Sequence, residues 1–273
     1  LKKYRGVFLK NAKEIDLLRE ANRIVAVILD RVEAAVKPGV ATRVFEEIAQ
    51  EGCREFDVKP AFQGYHGFPF ALCCSVNEEV VHGFPGDRVL QEGDIVSFDM
   101  GVRYQGFFGD SARTFAVGRI DDDTQQLLDV TRASLHQGIE QARAGHHLHD
   151  ISRAVQDYVE SFGLQVVRRF VGHGIGRSLH EKPEVPNFVS TGVQPLPLKA
   201  GMTLAIEPMV TLGTPDVEVL DDQWTAVTKD RKLSAHFEHT IAITSKGPEI
   251  LSCLNGSFDQ ASPEKKLAVS GDS

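Results

Sequence analysis

The sequence predicts an α/β (α+β) fold built twice about a pseudo-twofold axis, and three observations carry that prediction. An order of two helical periods, a His-rich loop and paired apolar strands occurs once before residue 120 and again after it. Residues with the same character recur at a fixed offset of 108: Gly93 with Gly201, Asp99 with Glu207, and Asp94-Ile95-Val96 with Met202-Thr203-Leu204. The helix-ending pairs Pro38-Gly39 and Ala144-Gly145 differ by 106. A unit of this length appearing twice describes one duplicated domain over residues 1–254, with repeats of about 12–120 and 121–250, and not an array of short repeats.

Each element has a local cause. Apolar residues Ile15, Leu18, Ile24, Val25, Ile28, Leu29, Val32 and Val36 recur with helical spacing over residues 12–36, with Asn11 as cap and Pro38-Gly39 as stop. A second helix is expected over 42–56. Residues 61–85, dense in Gly, Pro, His and aromatics, read as loops around a strand at 71–76, and loops of that composition often line sites. The stretch 93–117 reads as two apolar strands folded back at Tyr104-Gln105, so that residues whose numbers sum to 209 face each other. Helices over 121–143 and 150–162, a strand over 166–171, a loop-rich segment over 172–198, and strands over 202–212 and 237–244 complete the order. The polar tail from Asn255 is expected to be flexible.

Composition sets limits on function. Apolar residues at 42% and charged residues at 25% describe an ordinary globular chain. A net charge of -8 argues against a DNA-binding surface as the main role. Cys53, Cys73, Cys74 and Cys253 have neither zinc-finger nor redox-motif spacing and read as reduced thiols. No stretch is apolar for the roughly 18 residues of a membrane span, and the first residues carry no signal-peptide pattern. A cytoplasmic location is expected.

The chemistry begins with Asp99 and Asp110, which the hairpin reading places opposite each other among Ile95, Val96, Phe98 and Phe115. Cross-strand partners lie about 5 Å apart, and like charges there are destabilising. A buried pair of carboxylates calls for a cation between them, and hard divalent ions prefer oxygen ligands. The repeat places Glu207 on the equivalent second-half strand, and Glu238 in FEHTIAIT can sit on its partner strand. His173 in VGHGIG adds one nitrogen, making a set suited to two divalent ions about 3.5 Å apart. Simpler readings compete: Asp110 as a turn cap, Glu207 in a salt bridge to Arg113 or Arg177, Glu238 in a surface pair with His239, GHGIG as a plain glycine turn, and Trp224 as packing. For the HHLH run at 146–149, a solvated helix start is favoured over a metal tract.

Five motifs in order resemble one family. SVNEEVVHGFP (75–85), DMGVRYQGFFGD (99–110), GHGIGRSLHEKPEVPNF (172–188), IEPM (206–209) and FEHT (237–240) resemble the type I methionine aminopeptidases of the bacterial kind, the short form without a zinc-finger extension. The resemblance covers roughly residues 5–253. It implies the duplicated pita-bread fold of the metallopeptidases, a curved antiparallel-rich sheet with helices on one face. It implies removal of the initiator methionine from nascent proteins whose second residue is small, by a dinuclear divalent centre (Mn, Fe, Co or Zn) and a metal-bridging hydroxide.

By that resemblance, Asp99, Asp110, His173, Glu207 and Glu238 are metal ligands, with Asp110 and Glu238 bridging, His173 and Glu207 on one ion, and Asp99 on the other. Glu207, His180 and His82 are the expected catalytic residues. His82, His180, Tyr65, His66, Cys73 and Trp224 are expected to meet substrate, while Phe62, Phe68 and Leu179 stand where the family pattern has Cys, Tyr and Phe. N-terminal peptides of nascent proteins are the implied partners, with transient ribosome association, no DNA, no membrane and a monomeric state. The alternatives are an X-Pro aminopeptidase, which usually carries a further N-terminal domain, and a non-catalytic binding module, which is expected to have lost ligands that are all present here.

Overall fold

The computed structural model describes residues 2–190, 192 and 196–254; the expected tail from Asn255 lies outside them. Four helices account for the helical periods: α1 (Ala12–Ala35), α2 (Arg43–Glu55), α3 (Asp122–Gln141) and α4 (Leu148–Ser161). Asn11 starts α1 through a capping box: its side chain accepts from the Glu14 N–H (3.1 Å) and the Glu14 carboxylate accepts from the Asn11 N–H (2.9 Å). Asp121 caps α3 by accepting from the Thr124 N–H at 2.7 Å.

Two helix–sheet layers stand side by side. In the first, α1 and α2 bury Val25, Leu29 and Phe45 against Phe98, Met100 and Val102 of strand Ile95–Tyr104. In the second, α3 and α4 bury Leu127, Leu135 and Ile151 against Leu204, Ile206 and Ile241. Strand side chains alternate between faces, so the residues between these apolar positions, Asp99 in one layer and Ala205 and Glu207 in the other, point away from the helices. The offset of 108 holds in structural detail. Gly93 and Gly201 both have positive φ (+93° and +94°), and their N–H groups make equivalent bonds to Val117 O (2.9 Å) and Ile243 O (2.8 Å).

The layers are joined along strand Phe107–Ala116 and the segment Ser234–Thr244. The Glu238 N–H bonds Ala112 O (2.8 Å), Ser111 Oγ donates to Glu238 O (2.7 Å), Thr114 Oγ donates to His236 O (2.7 Å), and Thr240 Oγ donates to Asp110 O (2.8 Å). These bonds satisfy buried backbone groups at the junction and fix the two carboxylate-bearing strands relative to each other.

The structure changes four sequence expectations. The hairpin turns at Gln105-Gly106, with φ of +44° and +86°, and pairs Tyr104 with Phe107. Positive φ at both central residues is the twist-matching two-residue turn. Partner numbers therefore sum to 211: Asp99 opposes Ala112 and Asp110 opposes Gly101. A slip of two keeps both acids on one face, as diagonal rather than direct neighbours. The strand expected over 202–212 is split into Thr203–Ile206 and Met209–Thr211, because Pro208 has no N–H to give a ladder.

The strand expected over 166–171 is only Gln165–Val166. The expected loop over 172–198 contains strands Gly172–Gly174 and Glu181–Val185. Its glycines serve close packing: a Cβ at Gly172 would lie 2.4 Å from Ala205 O, and one at Gly174 2.3 Å from Lys182 O.

Gly109 performs the same service beside the acids. A Cβ there would lie 2.6 Å from the Ala21 carbonyl carbon and 2.7 Å from the Asn22 nitrogen, both backbone atoms of α1. Gly109→Ala is therefore expected to destabilise the protein by about 1–3 kcal/mol, as overpacking does. Urea denaturation at matched metal content checks this; an unchanged midpoint would contradict the packing described.

Candidate metal centre and active-site cleft

Five side chains from five separate stretches meet at the floor of one cleft of about 850 Å³. Asp99 and Asp110 come from the two strands of the hairpin, and His173 from the middle of strand Gly172–Gly174. Glu207 projects where Pro208 interrupts the second-half strand, and Glu238 from the break between strands Ser234–His236 and His239–Thr244. His173 Nε2 lies 3.6 Å from Glu207 Oε1 and 3.7 Å from Asp110 Oδ2. Donor atoms of Asp110, His173 and Glu238 lie within 4.8 Å of one another.

The electrostatics of this cluster are severe without a cation. Asp99 Oδ1, Asp110 Oδ1 and Glu238 Oε1 are buried with no hydrogen-bond partner. Desolvation pushes Asp99 up to about 7. Desolvation first, then the charges of Glu238 and Asp99, holds Asp110 well above the carboxylate range. Glu207 and Glu238 are raised well above it by desolvation and by their acidic neighbours. His173 is pulled down to about 3 by desolvation and by His180, so its imidazole is neutral. The Nδ1 of His173 lies 2.9 Å from Gly174 O; with Nδ1 donating to that carbonyl, Nε2 is left as a lone-pair donor toward the acids.

The donor set fits divalent cations. Oxygen-rich carboxylates with one neutral imidazole suit such ions, and the orphaned oxygens are the atoms a cation would satisfy. The competing salt bridges are excluded by what the arginines do instead: Arg113 pairs with Asp30 (2.7 Å) and Arg177 with Glu14 (3.1 Å).

Above the floor, the walls hold every residue expected to meet substrate. Tyr65, His66, Cys73, His82, His180 and Trp224 line the cleft, and so do Phe62, Phe68 and Leu179. His82 and His180 share the cleft with the acids. His82 has φ +61°, a costly conformation for a non-glycine residue and one that concentrates at functional positions. Desolvation and His180 lower His82 to about 4. His180 is lowered too, by desolvation and His66; its ring stands 4.2 Å from that of His173 at 84°, and its Nδ1 lies 2.7 Å from the Tyr65 hydroxyl. Phe68 packs edge-on to Trp224 (5.1 Å) and Phe84 (5.5 Å), forming an aromatic wall.

Two residues of the site escape the sequence reading. His236, fully buried, has Nε2 3.7 Å from Glu207 Oε2, and desolvation keeps it neutral at about 3. It stands just before the strand expected over 237–244, and its partner Glu207 is distant in sequence, so no local signal marked it. Phe170 meets the His82 ring at 5.4 Å and lines the cleft, but one Phe among sixteen carries no signal of that kind. The HHLH run lies elsewhere, with the His147 N–H bonded to Asp150 Oδ2 (2.7 Å) at the start of α4.

Residues 16–245 match metallopeptidase family M24. The methionine aminopeptidase of Clostridium perfringens is 51% identical over 248 residues, 91% of this chain and 99% of that protein. The chain belongs to metallopeptidase family M24, among the methionine aminopeptidases. Methionine aminopeptidase 1 of Bacillus subtilis is 48% identical over 90% of this chain and 99% of its own length. The crystal structure of methionine aminopeptidase from Thermotoga maritima superposes with a TM-score of 0.88 at 46% identity, covering 91% of this chain and all of that one. As an M24 metallopeptidase, this chain is an aminopeptidase with the pita-bread fold that uses divalent metal. Among the described residues no helix is long and apolar enough to cross a membrane.

The shifted acids make a prediction for the metal-free protein. A carboxyl raised in the folded state binds more protons folded than unfolded, so its contribution to stability falls as pH rises toward its folded value. Buried histidines lowered to about 3 or 4 act oppositely, but only below the ordinary imidazole value near 6.5. Between about pH 6.5 and 8, therefore, the acids dominate, and the raised buried thiols act in the same direction: chelated protein loses stability as pH rises, and divalent metal restores it. Thermal melts with chelator and with added metal check this; a metal-independent, flat profile would contradict it.

Proposed function

We propose that this aminopeptidase hydrolyses the first peptide bond of nascent proteins that begin with methionine followed by a small residue. The observation that supports the reading most is the stacking of a buried five-donor cluster beneath a cleft walled by Phe62, Tyr65, Phe68, Cys73, Leu179 and Trp224. Such a wall suits the unbranched, polarizable methionine side chain.

Asp99, Asp110, His173, Glu207 and Glu238 are the residues that would hold two divalent ions. Mn, Fe, Co and Zn all suit the donor set. When bound, such ions supply Lewis acidity, polarising a carbonyl and lowering the pKa of water toward about 7. The residues do the rest. Glu207 takes the proton from the attacking water, whose oxygen bonds to the scissile carbonyl carbon, and the proton passes to the departing nitrogen as the C–N bond breaks.

His180 is neutral, and with the Tyr65 hydroxyl donating to Nδ1 its proton resides on Nε2, where it can donate to the carbonyl oxygen as negative charge develops. His82, also neutral, donates near the scissile nitrogen. The free α-amine of the substrate is anchored at the Asp99 end of the centre, which makes the reaction an exopeptidase one.

The same reading takes residues 1–254 as one catalytic domain of two repeats, acting as a cytoplasmic monomer that meets its substrates as they leave the ribosome. Glu207→Ala and His173→Ala are expected to lower turnover of Met-Gly peptides by at least about 10²-fold, and an acetylated Met-Gly peptide is expected to resist the wild-type enzyme. Turnover assayed with added divalent metal checks both. Near-normal rates in either variant would sink the centre, and equal hydrolysis of the acetylated peptide would sink the amine anchor.

A further inference from the structure

His180 sits on a turn that has its own buried anchor. Residues 175–180 bridge two strands closed by the pairing of Gly174 with Glu181. The Glu181 carboxylate folds back under the turn: Oε1 accepts the N–H groups of Arg177 (2.8 Å) and Ser178 (3.3 Å), and Oε2 accepts from Lys10 Nζ at 2.5 Å. Both side chains are almost wholly enclosed, at 3% and 5% exposure. The lysine stem runs directly beneath Gly176, where a Cβ would come within 2.4 Å of Lys10 Cε. Lys10 is itself held at both ends: its N–H bonds Gly201 O at 2.7 Å, and Nζ also reaches Phe8 O at 3.4 Å.

A buried ion pair is rarely retained for net stability, since desolvating two charges costs about as much as their attraction returns. This pair joins three parts of the site: the N-terminal segment, the Gly201 bend before the strand that leads to Glu207, and the turn that carries His180 and Leu179. The other ion pair on the turn, Arg177 with Glu14, leaves Arg177 54% exposed and constrains the turn far less.

We propose that Lys10 is a positioning residue for catalysis: through its buried pair with Glu181 it fixes the 175–181 turn so that the His180 ring is set between Tyr65 and His173. The inference rests on the role assigned to His180 under the proposed function. Lys10 touches none of the five metal-binding residues, so its loss acts on the turn and not on metal content.

The test compares wild type, Lys10→Met, His180→Ala and the double variant K10M/H180A, each loaded to equal metal content and assayed on a Met-Gly peptide below its melting temperature. Lys10→Met is expected to lower kcat by about ten- to a hundredfold, the scale of a small misplacement, with KM within about twofold. In the His180→Ala background the same substitution is expected to cost less than about twofold, because the two act through one group. K10M/E181Q removes both charges and leaves no unpaired buried carboxylate, so it serves if Lys10→Met does not fold; the same low kcat is expected. A folded variant with wild-type kcat, or an equal loss in both backgrounds, would overturn the inference. A full-rate His180→Ala would instead overturn the role of His180 in the proposed function, and this inference with it.

Discussion

Four carboxyl groups share the floor of one cleft, and the rest of the structure can be understood as what it takes to keep them there. Desolvation alone raises each of them, and their mutual charge raises three further. Such a cluster relaxes by protonation, by water entry or by separation of the strands unless the scaffold forbids movement and a cation satisfies the charge. The donor set supplies the second condition, since the orphaned oxygens of Asp99, Asp110 and Glu238 are those a divalent ion would take up.

The scaffold supplies the first. Each acid-bearing strand has its opposite face sealed into a helix layer, through Phe98 and Met100 in one half and Leu204 and Ile206 in the other. The halves are then stitched at the acids themselves: Asp110 and Glu238 have their carbonyls taken by Thr240 and Ser111, and Asn22 of α1 accepts from the Asp110 N–H at 3.1 Å while donating to Leu18 O. Asn22 thus couples a helix interior to the backbone of Asp110, and Gly109 lets that helix approach closely enough for it to reach. The placement of the acids is a property of packed backbone rather than of mobile loops, as a precise metal site requires.

How much of this was legible in the sequence depended on what kind of physics fixed each part. The helices were, because apolar spacing and the Asn11 cap are local signals. The acid pair was legible in spite of a misplaced turn: moving the bend from Tyr104-Gln105 to Gln105-Gly106 shifts partners by two and leaves both acids on the same face. A slip of one would have destroyed the argument. The strands around His173 were hidden, because glycines chosen for close backbone approach carry the composition of a loop. His236 was missed since nothing local marks a buried histidine whose partner, Glu207, is distant in sequence. The Lys10–Glu181 pair, 171 residues apart, was invisible for the same reason. Long-range pairing of polar groups is set by tertiary closure, and a single sequence records it only where a repeat or a family resemblance supplies the missing partner.

The claim at the centre is that these acids are arranged around cations and would otherwise repel. Anomalous diffraction from crystals of the Mn- or Co-loaded protein tests it most directly. Two ions about 3.5 Å apart are expected, with Asp110 and Glu238 touching both, His173 and Glu207 one, and Asp99 the other. Ions bound elsewhere, or none among these five side chains, would contradict it.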